Sequence, residues 1–333
     1  MFSARFAGLH QPPADADDAL FAAVRAYTHQ VVHLGDMAAF DVIHAHEWMS
    51  LPAAVALGEA SGKPFVAHVH STELDRAGTA ADPRIMAIER SHIAAADAVI
   101  AVSHLTRACL VRHYGVDPRR ITVVHSALPT DVGPAASGAA TSPIGTIEPD
   151  DKVVLFAGRM TMQKGPEYFL AAARIVASRE PHVRFVLAGD GDWTGRMMSL
   201  ARRMGLSDRV TFAGFVDERD MPRLFRQADA FVMPSVSEPY GLAALEAVHA
   251  DVPVLVSRQC GVREVLTHAL FADFWDVHDI AGKIIAMLRY PPLAVAIRRR
   301  TACELRALTW ATAAKRCRVI YDRVIGSGRR IAG

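Results

Sequence analysis

Short runs of apolar, often β-branched residues recur along the chain, each separated from the next by a stretch long enough for a helix. "DVIHAH" (41–46), "PFVAHVH" (64–70), "DAVIAVS" (97–103) and "ITVVHS" (121–126) lack the alternation of a half-exposed strand. They predict parallel strands buried on both faces and joined by helical crossovers. A second series follows: "KVVLFAG" (152–158), "VRFVLAG" (183–189), "RVTFAG" (209–214), "DAFVMPS" (229–235) and "VPVLVS" (252–257). Between the two lies "ALPTDVGPAASGAATSPIGTIEPDD" (127–151), rich in small residues and Pro without periodicity, which reads as a linker over its 131–151 part. No period of about 20 to 50 residues repeats. The final segment, "LTWATAAKRCRVIYDRVI" (308–325), has the spacing of an amphipathic helix. The expected fold class is α/β: two Rossmann-like, doubly wound parallel-sheet domains, over 1–130 and 152–307.

Composition agrees with two ordinary cores. The chain has 333 residues, of which 51% are hydrophobic and 22% charged. Lys plus Arg number 37 against 35 Asp plus Glu, for a net charge of +2 without long basic runs, so no nucleic-acid footprint is indicated. No apolar run reaches the roughly 18 residues of a membrane span, and the start "MFSARFAGLHQPPADADD" has no apolar signal region. Cys109, Cys260, Cys303 and Cys317 show no metal-ligand spacing, which points to reduced thiols and a cytoplasmic location.

In open parallel sheets, ligands sit outside the carboxyl ends of the strands, and the polar, Gly-rich stretches fall at those ends. "GRMTMQKG" (158–165) offers Arg159 and Lys164 between glycines. The two cations can neutralise a diphosphate and stabilise it as it departs. In "GDGDW", Gly189, Asp190 and Gly191 form a turn that can bring backbone close to a ligand. In "PSVSEPYGLAALEAVHA" the prolines stop the strand and a helix begins near Leu242, with Gly241 ahead of it. A helix start exposes unpaired N–H groups that suit a phosphate. Glu246 lies one turn into that helix on the face of Leu242, and side chains lean toward the amino end. A carboxylate beside a diphosphate would be repelled, so Glu246 suits a ribose diol, and Glu238, in the loop ahead, a second hydroxylated group. In the first half, "HAHEW" and "HVHST" put histidines at strand ends. The H-x-H-E pattern invites a zinc reading, but no third ligand is evident in sequence and catalytic zinc wants three. His70 is the better candidate for hydrogen bonding a sugar or its leaving oxygen.

The run G-R-x4-K-G, then G-D-G, then E-P-x-G-L-x3-E, then "GVREVL" (261–266), resembles the retaining glycosyltransferases of family four, which have the GT-B fold and include glycogen and starch synthases. "FDVIHAHEW", "HVHSTE" and "ADAVIAVS" are similar to the same group, and the resemblance covers about 40–325. It implies two domains facing a cleft, with the helix at 308–326 packing back on the first. It implies a hexose moved from a nucleotide diphosphate sugar to a saccharide hydroxyl, without metal or other cofactor. Arg159 and Lys164 would hold the donor diphosphate, the amides of Gly241 and Leu242 its distal phosphate, Glu246 the ribose and Glu238 the donor sugar, with His70 near the reacting sugar. Family members open on a K-x-G-G-L loop and further βα units, for which "RFAGLHQPP" is a poor substitute. The resemblance therefore implies a shortened first domain, whose missing strands a second polypeptide could supply. The competing expectation is a non-catalytic or partner-dependent sugar-nucleotide-binding subunit.

Overall fold

The computed structural model describes residues 14–35, 39–128 and 150–331. The stretch "RFAGLHQPP" and all but the end of the expected linker lie outside them. The chain divides into two units, one formed by Met1–His125 with Ala311–Gly333, the other by Ser126–Trp310.

The first unit runs α1 (Ala14–Gly35), β1 (Ile43–His46), α2 (Leu51–Ser61), β2 (Phe65–Val69), α3 (Glu73–Ala77), α4 (Pro83–Ala95), β3 (Ala98–Ala101), α5 (His104–Tyr114) and β4 (Ile121–Val123). The strands form a parallel sheet in chain order, β1-β2-β3-β4. Alternate residues divide between its faces, as period two requires. Phe65, Ala67 and Val69 of β2 and Val99 and Ala101 of β3 pack with Leu51, Ile93 and Leu110 of the flanking helices. Val66, Ala98 and Ile100 point the other way, where Ala313, Ile320 and Val324 of the final helix cover them. Start signals sit where the helices begin: Thr72 caps α3 in a reciprocal box with Asp75, Asp82 caps α4 ahead of Pro83, and Ser103 caps α5. The helix α1 was not expected from the sequence; its Phe21 stacks near Trp48, ring centroids 5.7 Å apart, and under the Arg84 guanidinium.

The second unit runs β5 (Lys152–Ala157), α6 (Pro166–Ala177), β6 (Val183–Ala188), α7 (Thr194–Arg203), β7 (Val210–Gly214), α8 (Met221–Arg226), β8 (Ala230–Met233), α9 (Leu242–His249), β9 (Val254–Ser257), β10 (Leu270–Ala272), α10 (Val277–Arg289) and α11 (Pro291–Leu305); α12 (Trp310–Ile331) then returns to the first unit. All six strands are parallel, in the order β10-β9-β8-β5-β6-β7. On one face Phe156, Phe169 and Phe185 form the centre of a core closed by Met197 of α7 and Ile280 and Ile284 of α10. On the other, Phe231 of β8 meets Phe225 of α8 edge to face at 5.5 Å. Both units are thus α/β layers with helices on both sheet faces. The expected strands form with trimmed ends, while β10 was missed because it is a three-residue, half-buried edge strand.

Candidate functional site

In the second sheet the chain winds outward from β5 through β6 to β7, then returns to lay β8 on the other side of β5. That reversal makes a switch point between β5 and β8, the place at the carboxyl ends of an open parallel sheet where ligands characteristically bind. The loops leaving these two strands carry the candidate residues, Gly158–Lys164 and Pro234–Gly241.

The loops are held against each other by backbone. The Val236 amide donates to the Gln163 carbonyl at 2.9 Å. Gly165, in the left-handed region at φ 65°, is pressed against the Pro234 carbonyl, and a Cβ there would overlap that oxygen. Lys164 and Glu238 are thereby brought face to face, with Nζ 2.5 Å from Oε2. Glu238 is buried, and the Ser235 hydroxyl lies at 3.4 Å from the same oxygen. Its backbone is clamped to the segment after β9: the Glu238 amide donates to the Gln259 carbonyl at 3.0 Å and its carbonyl accepts from Gly261 at 2.9 Å. The "GVREVL" stretch is therefore a backing for the Glu238 loop.

A third loop closes the set. The Met160 amide donates to the Asp190 carbonyl at 3.0 Å, and Gly189 abuts the Gly158 carbonyl, so "GDG" packs directly on the loop of Arg159. The Asp190 carboxylate is engaged locally, accepting from the Gly191 amide and the Thr194 hydroxyl at 2.7 Å each. Through Oδ1 it shapes the turn. Arg159 is exposed and, among the described residues, makes no side-chain ion pair. The helix α9 begins at Leu242 with Gly241 as its left-handed cap and no side chain satisfying its first amides. Glu246 is exposed in area, yet crowding by protein atoms and the neighbouring Glu218 push its carboxyl above the ordinary range. A hollow of about 450 Å³ opens at the opposite sheet edge, where β5 starts, and none of these residues lines it.

In the first unit the two H-x-H segments lie on adjacent strands, with His46 opposite His68 in register. His44, His46, His68 and His70 therefore share one face. Their rings stack, and Nε2 of His44 lies 3.2 Å from Nδ1 of His68 while Nδ1 of His46 lies 2.9 Å from Nε2 of His70. Burial, reinforced by the neighbouring rings, pushes His44 down to about 4 and His68 to about 2, and burial also lowers His46 and His70.

Glu47 enters the sequence reading only as the acid of the H-x-H-E pattern, with no role of its own. It adopts φ 65°, rare for a side chain of its kind, and its Oε1 accepts from the amides of His70 and Ser71 at 2.7 and 2.9 Å. Its other oxygen accepts from Arg76 at 3.2 Å, and Arg76 also pairs with Glu73 and Glu89. The strained Glu47 thus fixes the turn that presents His70. Glu47→Ala should destabilise the protein by about 2 to 4 kcal/mol, because two amides and a guanidinium lose their charged partner; urea unfolding measures it. Its only sequence signal is the position after H-x-H, which no local rule marks.

Among the described residues no single helix is long and apolar enough to cross a membrane. Residues 140–302 match the family described as glycosyl transferases group 1, and residues 10–132 match glycosyltransferase family 4. A glycosyltransferase of Methanocaldococcus jannaschii, itself uncharacterized, is 32% identical over 237 residues, covering 69% of this chain and 60% of that protein. A D-inositol 3-phosphate glycosyltransferase of Catenulispora acidiphila is 30% identical over 307 residues, covering 86% of this chain and 71% of its own length. The chain thus spans 60 to 71% of the length of these two relatives. Among solved structures, sucrose-phosphate synthase from Thermosynechococcus elongatus superposes with a TM-score of 0.77 at 21% identity, over 97% of this chain and 82% of that one, a likeness of fold. With both halves matched by family and the fold agreeing, the chain belongs to the GT-B glycosyltransferases of family four.

Proposed function

We propose that the protein transfers a hexose from a nucleotide diphosphate sugar to a hydroxyl of a saccharide or related polyol acceptor, with retention of configuration and without a metal in the transfer step. The observation that supports this most is the meeting of Lys164 and Glu238 at the switch point, one loop away from the open start of α9. An ammonium has three donors and spends one on Glu238, leaving two for a diphosphate. Arg159 and the first amides of α9 add positive charge for the phosphates, and Glu246 accepts from the ribose hydroxyls. Glu238, its charge balanced by Lys164, accepts from hydroxyls of the hexose, and His70 is assigned to the reacting sugar.

In this reading the bond between the anomeric carbon and the diphosphate oxygen breaks as the acceptor oxygen bonds to the same face of that carbon. The acceptor's proton passes to the departing diphosphate, so no protein nucleophile is required. The inositol phosphate in the name of the Catenulispora relative makes a phosphorylated polyol one acceptor to include.

A thermal-shift panel of ADP, GDP and UDP, followed by incubation of the chain with the matching labelled donors, tests the reading. Release of the nucleoside diphosphate, by transfer or by hydrolysis, is the expected result; saturable binding with no product would favour a binding subunit instead. Glu246→Ala should weaken nucleoside diphosphate binding about 10- to 100-fold, the loss of one or two charge-assisted hydrogen bonds. Isothermal titration measures it, and unchanged affinity would remove Glu246 from the site.

A further inference from the structure

Three histidines of the first unit, His44, His46 and His68, offer a chemistry that sugar transfer does not use. One ring nitrogen from each of His44, His46 and His68 lies within 4.8 Å of the other two. Two imidazole nitrogens bound at about 2.0 to 2.1 Å to a tetrahedral ion stand about 3.3 Å apart, and the gap from His44 Nε2 to His68 Nδ1 is 3.2 Å. His68 is only 8% exposed, so its ring sits away from bulk water. We propose that His44, His46 and His68 form a binding site for a divalent ion of the zinc class.

The donor set selects the ion. Imidazoles without carboxylates suit zinc, cobalt, nickel or copper and disfavour magnesium and calcium, which want oxygen. The neutral imidazole is the form that ligates. A supporting partner is also in place: Nδ1 of His44 lies 2.5 Å from the Tyr321 hydroxyl of α12. Donation from Nδ1–H to that oxygen would fix the tautomer that leaves Nε2 free for an ion. An ion here would tie β1 to β2 and, through Tyr321, to α12. It would act as a clip within the first unit, independent of the donor loops and of whether the transfer reading holds.

The test uses the full chain, stripped with a chelator and titrated with Co2+, then with Zn2+. Expected are the visible d–d bands of tetrahedral Co2+, saturating at one ion per chain, their loss on adding Zn2+, and a higher melting temperature with Zn2+. His46→Ala alters an exposed ring, so folding should survive, and should lower Co2+ affinity at least tenfold. His249→Ala, an exposed histidine of the second unit, should leave it unchanged. The proposal is overturned if no saturable band forms up to millimolar Co2+, if a thiolate charge-transfer band shows that a cysteine is the ligand, or if both His46→Ala and His44→Gln bind as wild type does.

Discussion

Lys164→Ala is expected to lower turnover of the donor sugar about 100- to 1,000-fold while changing nucleoside diphosphate affinity by no more than about tenfold. The asymmetry follows from when the charge appears. In the proposed site the bound donor's diphosphate already carries its ground-state charge, which Arg159 and the α9 amides would share. As the anomeric bond breaks, further charge collects on the departing oxygen, and a preorganised donor aimed there is worth about 2.7 to 4 kcal/mol. Lys164 is preorganised by Glu238, which holds its ammonium at 2.5 Å, and both side chains are largely shielded, at 21% and 10% exposure. Removing the lysine also strands a buried carboxylate, which costs stability as well as rate. The double variant Lys164→Ala/Glu238→Gln separates the two effects: it should regain melting temperature without regaining turnover. Steady-state kinetics, calorimetric binding and thermal unfolding of the three proteins decide it. Equal losses in binding and turnover for Lys164→Ala would make the lysine a simple anchor.

Gly189→Ala should destabilise the second unit by about 3 kcal/mol or more, enough to cost soluble protein. Gly189 sits at φ 126°, where an L side chain is strained, and its Cβ would overlap the Gly158 carbonyl oxygen, with the carbonyl carbon at 2.8 Å. Strain of this kind costs about 1 to 3 kcal/mol, and overpacking against backbone adds a similar amount because neither partner is a flexible side chain. The contact is the seam between the loops after β5 and β6, so partial accommodation would push the Arg159 loop out of place. Gly205→Ala is the control. Gly205 has φ 71° but nothing within 4 Å of the added carbon, so only the backbone term of about 1 kcal/mol should appear. Urea midpoints followed by tryptophan fluorescence would show the difference. Equal costs at the two glycines would mean that the close approach of the loops contributes nothing.

The strands were legible because parallel strands buried on both faces write themselves as uninterrupted apolar runs, "KVVLFA" and "VRFVLA" among them. The start of α9 was legible as well, since Pro239 and Gly241 break the chain just before a good helix-forming run. Contacts between distant segments were not. Lys164 and Glu238 are separated by 74 positions, and they meet only because β8 inserts beside β5, a strand order that no local pattern states. The histidines are similar: each H-x-H pair could be read as sharing a face, but a third nitrogen enters only through the β1–β2 register that sets His46 against His68. The role of Glu47 was not legible from H-x-H-E because it rests on a backbone angle.

The most direct test of the central claim, that the loops after β5 and β8 together with the start of α9 grip a nucleotide diphosphate, is a crystal structure of the chain soaked with the nucleoside diphosphate that gives the largest thermal shift. Phosphate oxygens are expected within hydrogen-bond reach of Lys164 and the Gly241 and Leu242 amides, with the ribose on Glu246. A nucleotide bound elsewhere on the second unit, with Lys164 and Glu246 untouched, would contradict it.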